Sequence, residues 1–269
     1  MTAQDANDTN RPLGAGSTDR QLRQAATTMR VMTWNIHGGV GPDGRRDLQR
    51  IIRLVRKHDP DLIALQEVGS RREVAEAAEA FSSLADALGN HATETRLITA
   101  PDGNYGHALI CRWPLKSTVC HDLSYRRREP RAAIEAIAET PFGPLHVVAA
   151  HLGLSFAERR HQAQILAELV RSGSTPALLL GDLNDWIRGG SVQKMLDRQF
   201  PGHSHFKTFP AFWPVFALDR VYCWPGDMLA RQWTDRQARK ASDHLPVIAE
   251  LTMEKGRTLD GDEEGAIRR

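Results

Sequence analysis

The segment Leu178–Asp185, LLLGDLND, sets the terms for reading the whole chain. With Ala177 it forms a short apolar run, preceded by Pro176 and closed by Gly181-Asp182. A run this short, apolar at every position, suits a strand buried on both faces better than a strand with one face in water. It ends at a carboxylate and, two residues later, at an amide. In extended backbone, positions i and i+2 share a face, so Asp182 and Asn184 are expected to point the same way. The alternative local reading is a plain Asx turn, for which Gly and Asp are ordinary residues.

The same pattern recurs in both directions along the chain. Val31–Ile36, Leu62–Leu65, Leu145–Ala150 and Val247–Leu251 are further near-continuous apolar runs. TWNIHGG holds Asn35, LIALQEV ends in Gln66-Glu67, VVAAHLG holds His151, ALDRVY carries Asp219, and ASDHLPV places Asp243-His244 just before the last run. Carboxylates beside apolar runs are costly to desolvate unless paired, hydrogen-bonded or bound to a cation. If such residues converge, mutual repulsion makes a divalent ion the economical remedy. Hard oxygen donors favour Mg²⁺, with Mn²⁺ as a substitute. No Cys/His spacing supports zinc.

Helical periods lie between the runs. Leu48, Ile51, Ile52 and Val55 fall at i, i+3, i+4 and i+7, as do Val74, Ala77, Ala78 and Phe81, continuing through Leu84, Ala85 and Leu88. A third helix is expected over Phe156–Val170, and residues 97–139 read as hairpin-like strands. Helices covering sheets predict an α/β or α+β sandwich. An internal echo sharpens this. Asn35 and His151 stand 116 positions apart, as do Pro60 and Pro176, and Glu67 and Asp182 stand 115 apart. Two similar strand–helix–strand halves would each deliver a polar residue to a strand end.

Composition bounds the remaining choices. The 269 residues are 41% hydrophobic and 25% charged, which suits one globular domain. Residues 1–29 and 254–269 are polar and poor in large apolar side chains, so they are expected to be disordered tails around a folded segment 30–253. The first 29 residues lack the apolar stretch of a secretory signal, and no run is long enough for a membrane-spanning helix. Three scattered cysteines make no disulfide framework, which fits a reducing compartment; the expectation is a cytoplasmic monomer. A net charge of +2 is too small to argue for nucleic acid.

Taken in order, these segments resemble the endonuclease/exonuclease/phosphatase superfamily with its DNase I-like fold; GDLN and SDHLP are the specific pair, and LQE and WNI support them. The resemblance covers nearly all of residues 30–252. It implies a four-layer α/β/β/α sandwich of two mixed sheets and Mg²⁺-dependent cleavage of phosphoester bonds by in-line attack of water, without a covalent intermediate. Asn35 and Glu67 match the metal-holding pair, and Asp243 is a further metal candidate. Asp182 matches the base, with Asn184 contacting the phosphate or orienting the water. His244 is matched as a donor to a phosphate oxygen, His151 as a second site histidine, and Asp219 as the acid that orients a histidine.

Other features remain open at this level. SYRRREPRAAIEA offers Arg126, Arg127, Arg128 and Arg131 as a phosphate clamp or a solvated loop, with Arg131 favoured. Tyr105 in NYGHALICR lies where family nucleases often place a phosphate-contacting tyrosine. KTFPAFWPVFALDR clusters Phe209, Phe212, Trp213 and Phe216 before Asp219, some of them expected in the core. An apolar lip there would suit a lipid, although bases also stack on such rings. The substrate is accordingly a phospholipid, a small phosphodiester or a nucleic acid. The DNA-repair branch usually carries a Trp-bearing segment and longer contact loops that are not evident here. A non-catalytic binding protein on this fold is the contrasting class. A Ser-His-Asp hydrolase is excluded by the lack of a G-x-S-x-G elbow.

Overall fold

The computed structural model describes residues 27–69, 80–100, 103–170 and 175–253. Its first unit is β1 (Thr28–Asn35), α1 (Leu48–His58) and β2 (Leu62–Gly69), with the two strands parallel. Asp47 starts the helix, accepting from the Gln49 amide at 2.9 Å. The helix stops at Asp59 in the left-handed conformation, φ 43°, after a basic last turn of Arg56, Lys57 and His58 that complements the helix dipole. Its buried face is Ile51, Ile52, Leu54 and Val55. β1 begins at Thr28, and Met29 is fully buried, so the folded segment starts inside the stretch expected to be a tail. Pairing with the last strand, Val247–Thr252, explains this, because Met29 sits opposite Leu251 and completes the core edge. Residues 1–26 and 254–269 of the expected tails lie outside the described residues.

The second unit repeats the first. β7 (Gly143–His151), α3 (Phe156–Val170) and β8 (Ala177–Asp182) again form a parallel pair with a helical crossover. α3 has the span expected from the sequence. The middle region supplies α2 (Ala80–Leu88) and four strands: β3 (His91–Ala100), β4 (Gly103–Cys111), β5 (Leu115–Asp122) and β6 (Ala132–Thr140). The beginning of the helix expected from Val74 lies outside the described residues. After β8 come α4 (Ser191–Gln199), β9 (Gly202–His203), β10 (Asp219–Trp224), β11 (Leu229–Thr234) and β12 (Val247–Thr252).

The strands form two six-stranded sheets, β11-β12-β1-β2-β4-β3 and β5-β6-β7-β8-β10-β9. Within each, the central pair is parallel and every other pair is antiparallel. One core lies between the sheets, with Val31, Leu62 and Leu109 meeting Val147, Leu178 and Val221. A second joins the outer face of the first sheet to α1 and α2 through residues such as Trp34, Ile51 and Phe81. A third joins the other outer face to α3 and α4 through Val148, Leu166 and Leu196. The result is the four-layer α/β/β/α sandwich. Both faces of each sheet are covered, which is why the strands read as continuous apolar runs. Among the described residues no helix is long and apolar enough to cross a membrane.

Register refines the internal echo. Asn35 pairs with Gln66, and His151 pairs with Asp182. Asp182 therefore corresponds to Gln66, and Glu67 is displaced by one position. The displacement sits at a bulge against β4 between Leu65 and Val68, where Glu67 adopts φ 55°.

Candidate active site

The C-terminal ends of both parallel pairs open on one cleft of about 540 Å³. β1 delivers Asn35, and its side-chain amide joins the two sheets. Nδ2 donates to Glu67 Oε1 at 3.1 Å and to Asp182 Oδ2 at 3.0 Å. The bulge turns Glu67 into the cleft rather than ending β2 there, and a non-glycine residue in the left-handed region is the kind of local strain that recurs at functional sites.

β8 delivers Asp182 through a backbone that only glycine suits at position 181. Gly181 has φ 155°, and a Cβ there would lie 1.8 Å from the Ala150 carbonyl oxygen. Beyond it the chain makes the Asx turn: the Asn184 amide donates to Asp182 Oδ1 at 2.9 Å, and Asn184 is left-handed at φ 49°. The turn and the site are thus the same structure. Asn184 Nδ2 donates to the Leu152 carbonyl at 2.9 Å and lies 3.2 Å from His151 Nε2.

His244 arrives on the loop before β12. That loop is pinned to β1, since Ser242 Oγ donates to the Asn35 carbonyl at 2.8 Å and Trp34 Nε1 donates to the His244 carbonyl at 2.9 Å. His244 Nδ1 lies 2.8 Å from Asp219 Oδ2, and its Nε2 lies 3.8 Å from Asp182 Oδ2. Thr208 fixes the start of β10, its hydroxyl accepting from the Leu218 and Asp219 amides. Burial opposes the charged form of His244, but the carboxylates of Asp219 and Asp182 overcome it and push the imidazole up to about 10. Asp182 is raised to about 6, by burial first and by the charge of Asp219 second.

The ligand-type residues divide into two groups. Asp182, Asp219 and His244 offer atoms that all lie within 4.8 Å of one another, and Asp219 Oδ1 is buried with no hydrogen-bond partner among the described residues. Asn35 and Glu67 face the same cleft. Asp243 is half-exposed and lies 3.2 Å from His37 Nδ1. Burial raises its carboxyl, but the His37 hydrogen bond and the nearby His244 charge bring it below the usual range. Arg131 lines the cleft, is held by Glu129 at 2.5 Å, and has a buried Nε with no hydrogen-bond partner among the described residues. Arg126, Arg127 and Arg128 are exposed on the same loop. Tyr105 is buried on β4 opposite Gly69 and is not among the cleft-lining residues.

Two neighbouring histidines were not singled out by sequence. His107, on β4, packs edge-on against His151 with ring centroids 5.5 Å apart; burial and the nearby Arg131 push it down to about 3, so it is neutral. His37 is left-handed, φ 48°, and its amide donates to Asn35 Oδ1 at 3.1 Å. The IHGG segment carried His37 in plain view, but nothing in its spacing pointed to Asp243. The aromatic cluster also departs from expectation. Phe212, Trp213 and Phe216 are exposed, and Phe209 lines the cleft half-buried. The chain folds back as a tight hairpin, with Phe209 and Phe216 exchanging backbone hydrogen bonds, so its tip stands away from the core.

A fold of two mixed sheets with this acidic and imidazole-rich edge defines a class: the chain belongs to the endonuclease/exonuclease/phosphatase family, which it matches over residues 32–244. It is 31% identical to the uncharacterized protein YbhP of Escherichia coli (strain K12) over 250 residues, covering 84% of this chain and 97% of that one. Solved structures share the fold. A family member from Bacteroides vulgatus superposes with a TM-score of 0.68 at 16% identity, covering 85% of this chain and all of that one. The human Nocturnin catalytic domain with a bound sulfate anion gives 0.62 at 18%, covering 84% and 94%. The family comprises phosphoester-cleaving hydrolases, and Asp182 and His244 of the cleft, with Asp219 behind them, are spaced as a candidate metal site.

Proposed function

We propose that the protein is a divalent-metal-dependent phosphoesterase that hydrolyses a phosphodiester or phosphomonoester by in-line attack of water. The observation that carries this reading is the Asn35 amide bridging Glu67 on one sheet and Asp182 on the other, beside a second buried acid, Asp219, and a cationic His244. Buried acids this close destabilise a fold unless they are paired, hydrogen-bonded or bound to a cation, and here Asn35 and His244 supply the hydrogen bonds and the charge.

Asp182 is the proposed base. A carboxyl raised to about 6 is ionised at neutral pH yet basic enough to take a proton from water. Asn184 orients that water or the phosphate through its amide. His244, held cationic and aligned by Asp219, donates to a phosphate oxygen where negative charge develops. His151 shares that task from the second sheet, and the Nε–H of Arg131, which has no acceptor among the described residues, is a donor left for a phosphate oxygen. Tyr105 is retained as a candidate substrate contact, reachable only if its surroundings shift.

The donor set fits a hard cation, because Glu67, Asn35 and Asp243 offer oxygens, and Asp219 Oδ1 is a buried acceptor with no hydrogen-bond donor among the described residues. Glu67 and Asn35 would hold the ion, with Asp243 nearest the rim. Bound there, Mg²⁺ or Mn²⁺ supplies positive charge that neutralises the phosphate and polarises it toward attack. The sulfate in the Nocturnin domain shows that a related fold accepts a tetrahedral anion.

The test is turnover of bis-p-nitrophenyl phosphate by the full chain with Mg²⁺ or Mn²⁺, with and without chelator, beside Asp182→Asn. Metal-dependent release of nitrophenol that the variant lacks supports the reading. Equal rates in enzyme, variant and buffer overturn it.

A further inference from the structure

Nine large hydrophobic side chains are exposed among the described residues, and all but Val119 lie on loops around the cleft or at the first turn of α3. Scattered exposed apolar residues are normal, but a cluster confined to one rim is not. Leu154, 62% exposed, stands on the β7–α3 loop, and Trp186 stands on the β8–α4 loop. On the hairpin before β10, Phe212 and Trp213 are 71% and 76% exposed, with Val215 and Phe216 beside them. Leu154, Trp186 and Phe216 also line the cleft, so the apolar rim runs directly into the proposed site.

The loops that carry these side chains are predominantly basic, with Asp243, half-exposed and paired with His37, as the acidic neighbour of the hairpin. The hairpin segment 205–218 contains no acidic residue, and its single charged residue is the exposed Lys207. The segment 124–131 exposes Arg126, Arg127 and Arg128, while its Glu129 is bound by Arg131. On the β8–α4 loop Arg188 is exposed, whereas Asp185 is buried beside Arg159. Arg239 lies over the Phe212 ring, 5.4 Å from its centroid. Aromatic and aliphatic tips flanked by arginines match the boundary between phosphate head groups and acyl chains. Leu154, Ile187 and Val215 favour this occupant over a nucleic-acid strand, because aliphatic side chains offer bases no stacking face.

We propose that this rim seats the protein on an anionic phospholipid surface, with the phosphoester of a lipid head group presented to the cleft. The substrate clause rests on the hydrolase reading above; the binding clause does not.

The experiment is co-sedimentation of the full chain with vesicles of phosphatidylglycerol and phosphatidylethanolamine. The wild type is expected in the pellet. Each buried ring contributes about tenfold in partitioning, so Phe212→Ala with Trp213→Ala should weaken binding about a hundredfold. Turnover of soluble bis-p-nitrophenyl phosphate by that double variant should be unchanged. Asp182→Asn should still sediment. Wild-type protein that stays in the supernatant, or a double variant that pellets equally well, overturns the proposal. So does a double variant that keeps vesicle binding and instead loses affinity for single-stranded DNA. Sedimentation without any phosphoester turnover would defeat only the hydrolase reading, and turnover without sedimentation only the membrane one.

Discussion

Asn35 and His151 occupy matching places in two copies of one strand arrangement, and so do Gln66 and Asp182. The match extends outward. β10 sets Asp219 opposite Asp182, while β4 sets His107 opposite the bulge that carries Gln66 and Glu67. Arg131 and His244 each lie just before the strand that flanks the first member of its parallel pair. The sheets therefore share a scaffold but not a chemistry. The first supplies an amide, a bulged glutamate and a neutral histidine. The second supplies a histidine and two buried aspartates, and His244 crosses from the first sheet's edge to meet them. Repetition builds the cleft; its reactivity comes from the departures from repetition.

The sharpest way to break this comparison is to neutralise one side of it. Asp182→Asn keeps the Asx turn and the Asn35 contact within reach, but removes the only proposed base. Hydrolysis should fall by about 10²–10⁴-fold. At the matching position, Gln66→Met removes the partner of the Thr33 hydroxyl and should cost about 1 kcal/mol of stability, with turnover nearly intact. Steady-state rates and urea midpoints on both variants check this, and a Gln66 variant as inactive as the Asp182 variant would end the asymmetry.

Gly181 comes next, because the position matching it across the repeat is Leu65. One half tolerates a large side chain where the other has room for none. Gly181→Ala places a methyl group against the Ala150 carbonyl in an unfavourable φ, and should destabilise the fold by about 3 kcal/mol or more. Thermal melting measures it, and an unchanged Tm would show that β7 and β8 can separate at no cost.

A smaller effect distinguishes alignment from direct action. Asp219 is proposed to act through His244, so Asp219→Asn and His244→Gln should each reduce turnover by about a hundredfold without multiplying in the double variant. Fully multiplicative losses would mean that Asp219 works independently of the imidazole.

Much of this arrangement was legible because covered sheets leave long apolar runs, and a polar residue interrupting such a run is conspicuous. The strands bearing Asn35, His151 and Asp182 follow from that contrast. Features set by register were legible only in part. The displacement of Glu67 shows as a spacing of 115 against 116, but the bulge that causes it leaves no mark in hydropathy. α4 escaped notice because it is nine residues long, buries only Val192 and Leu196, and has no side-chain cap at Gly190. The hairpin tip stayed open between core and apolar lip for a related reason: aromatic residues carry no sign of which way they face until backbone pairing fixes it.

The crossover helices offer a milder contrast. α3 ends without a basic residue, whereas the basic last turn of α1 is tied to Asp235 by Lys57 at 2.6 Å and His58 at 2.9 Å. Burial raises the Asp235 carboxyl, but Lys57, the Gln237 amide and His58 together hold it below its ordinary value of 3.8. A carboxyl depressed on folding stabilises above its unfolded value, and that contribution fades as pH falls through the folded one. Asp235→Asn should therefore cost about 1 kcal/mol at pH 7, with the gap to wild type closing below pH 3.8. A gap constant from pH 7 to pH 3 would show that the charge contributes nothing.

The smallest effect tests the repeat where it is most faithful. Cys111 on β4 lies opposite Leu62, and Cys223 on β10 lies opposite Leu178; the two leucines are 116 residues apart, the same interval as Asn35 and His151. Both cysteines enter the core between the sheets, and burial raises their thiols to about 11 and about 12. Thiolate is the reactive form, so neither should react with a thiol reagent in the native state, while the exposed Cys120 should. Matched burial also predicts matched protection: as urea is added, Cys111 and Cys223 should become reactive together, at the global midpoint. Earlier labelling of one would mean that its sheet opens independently, and that the two halves share a pairing pattern without sharing a cooperative core.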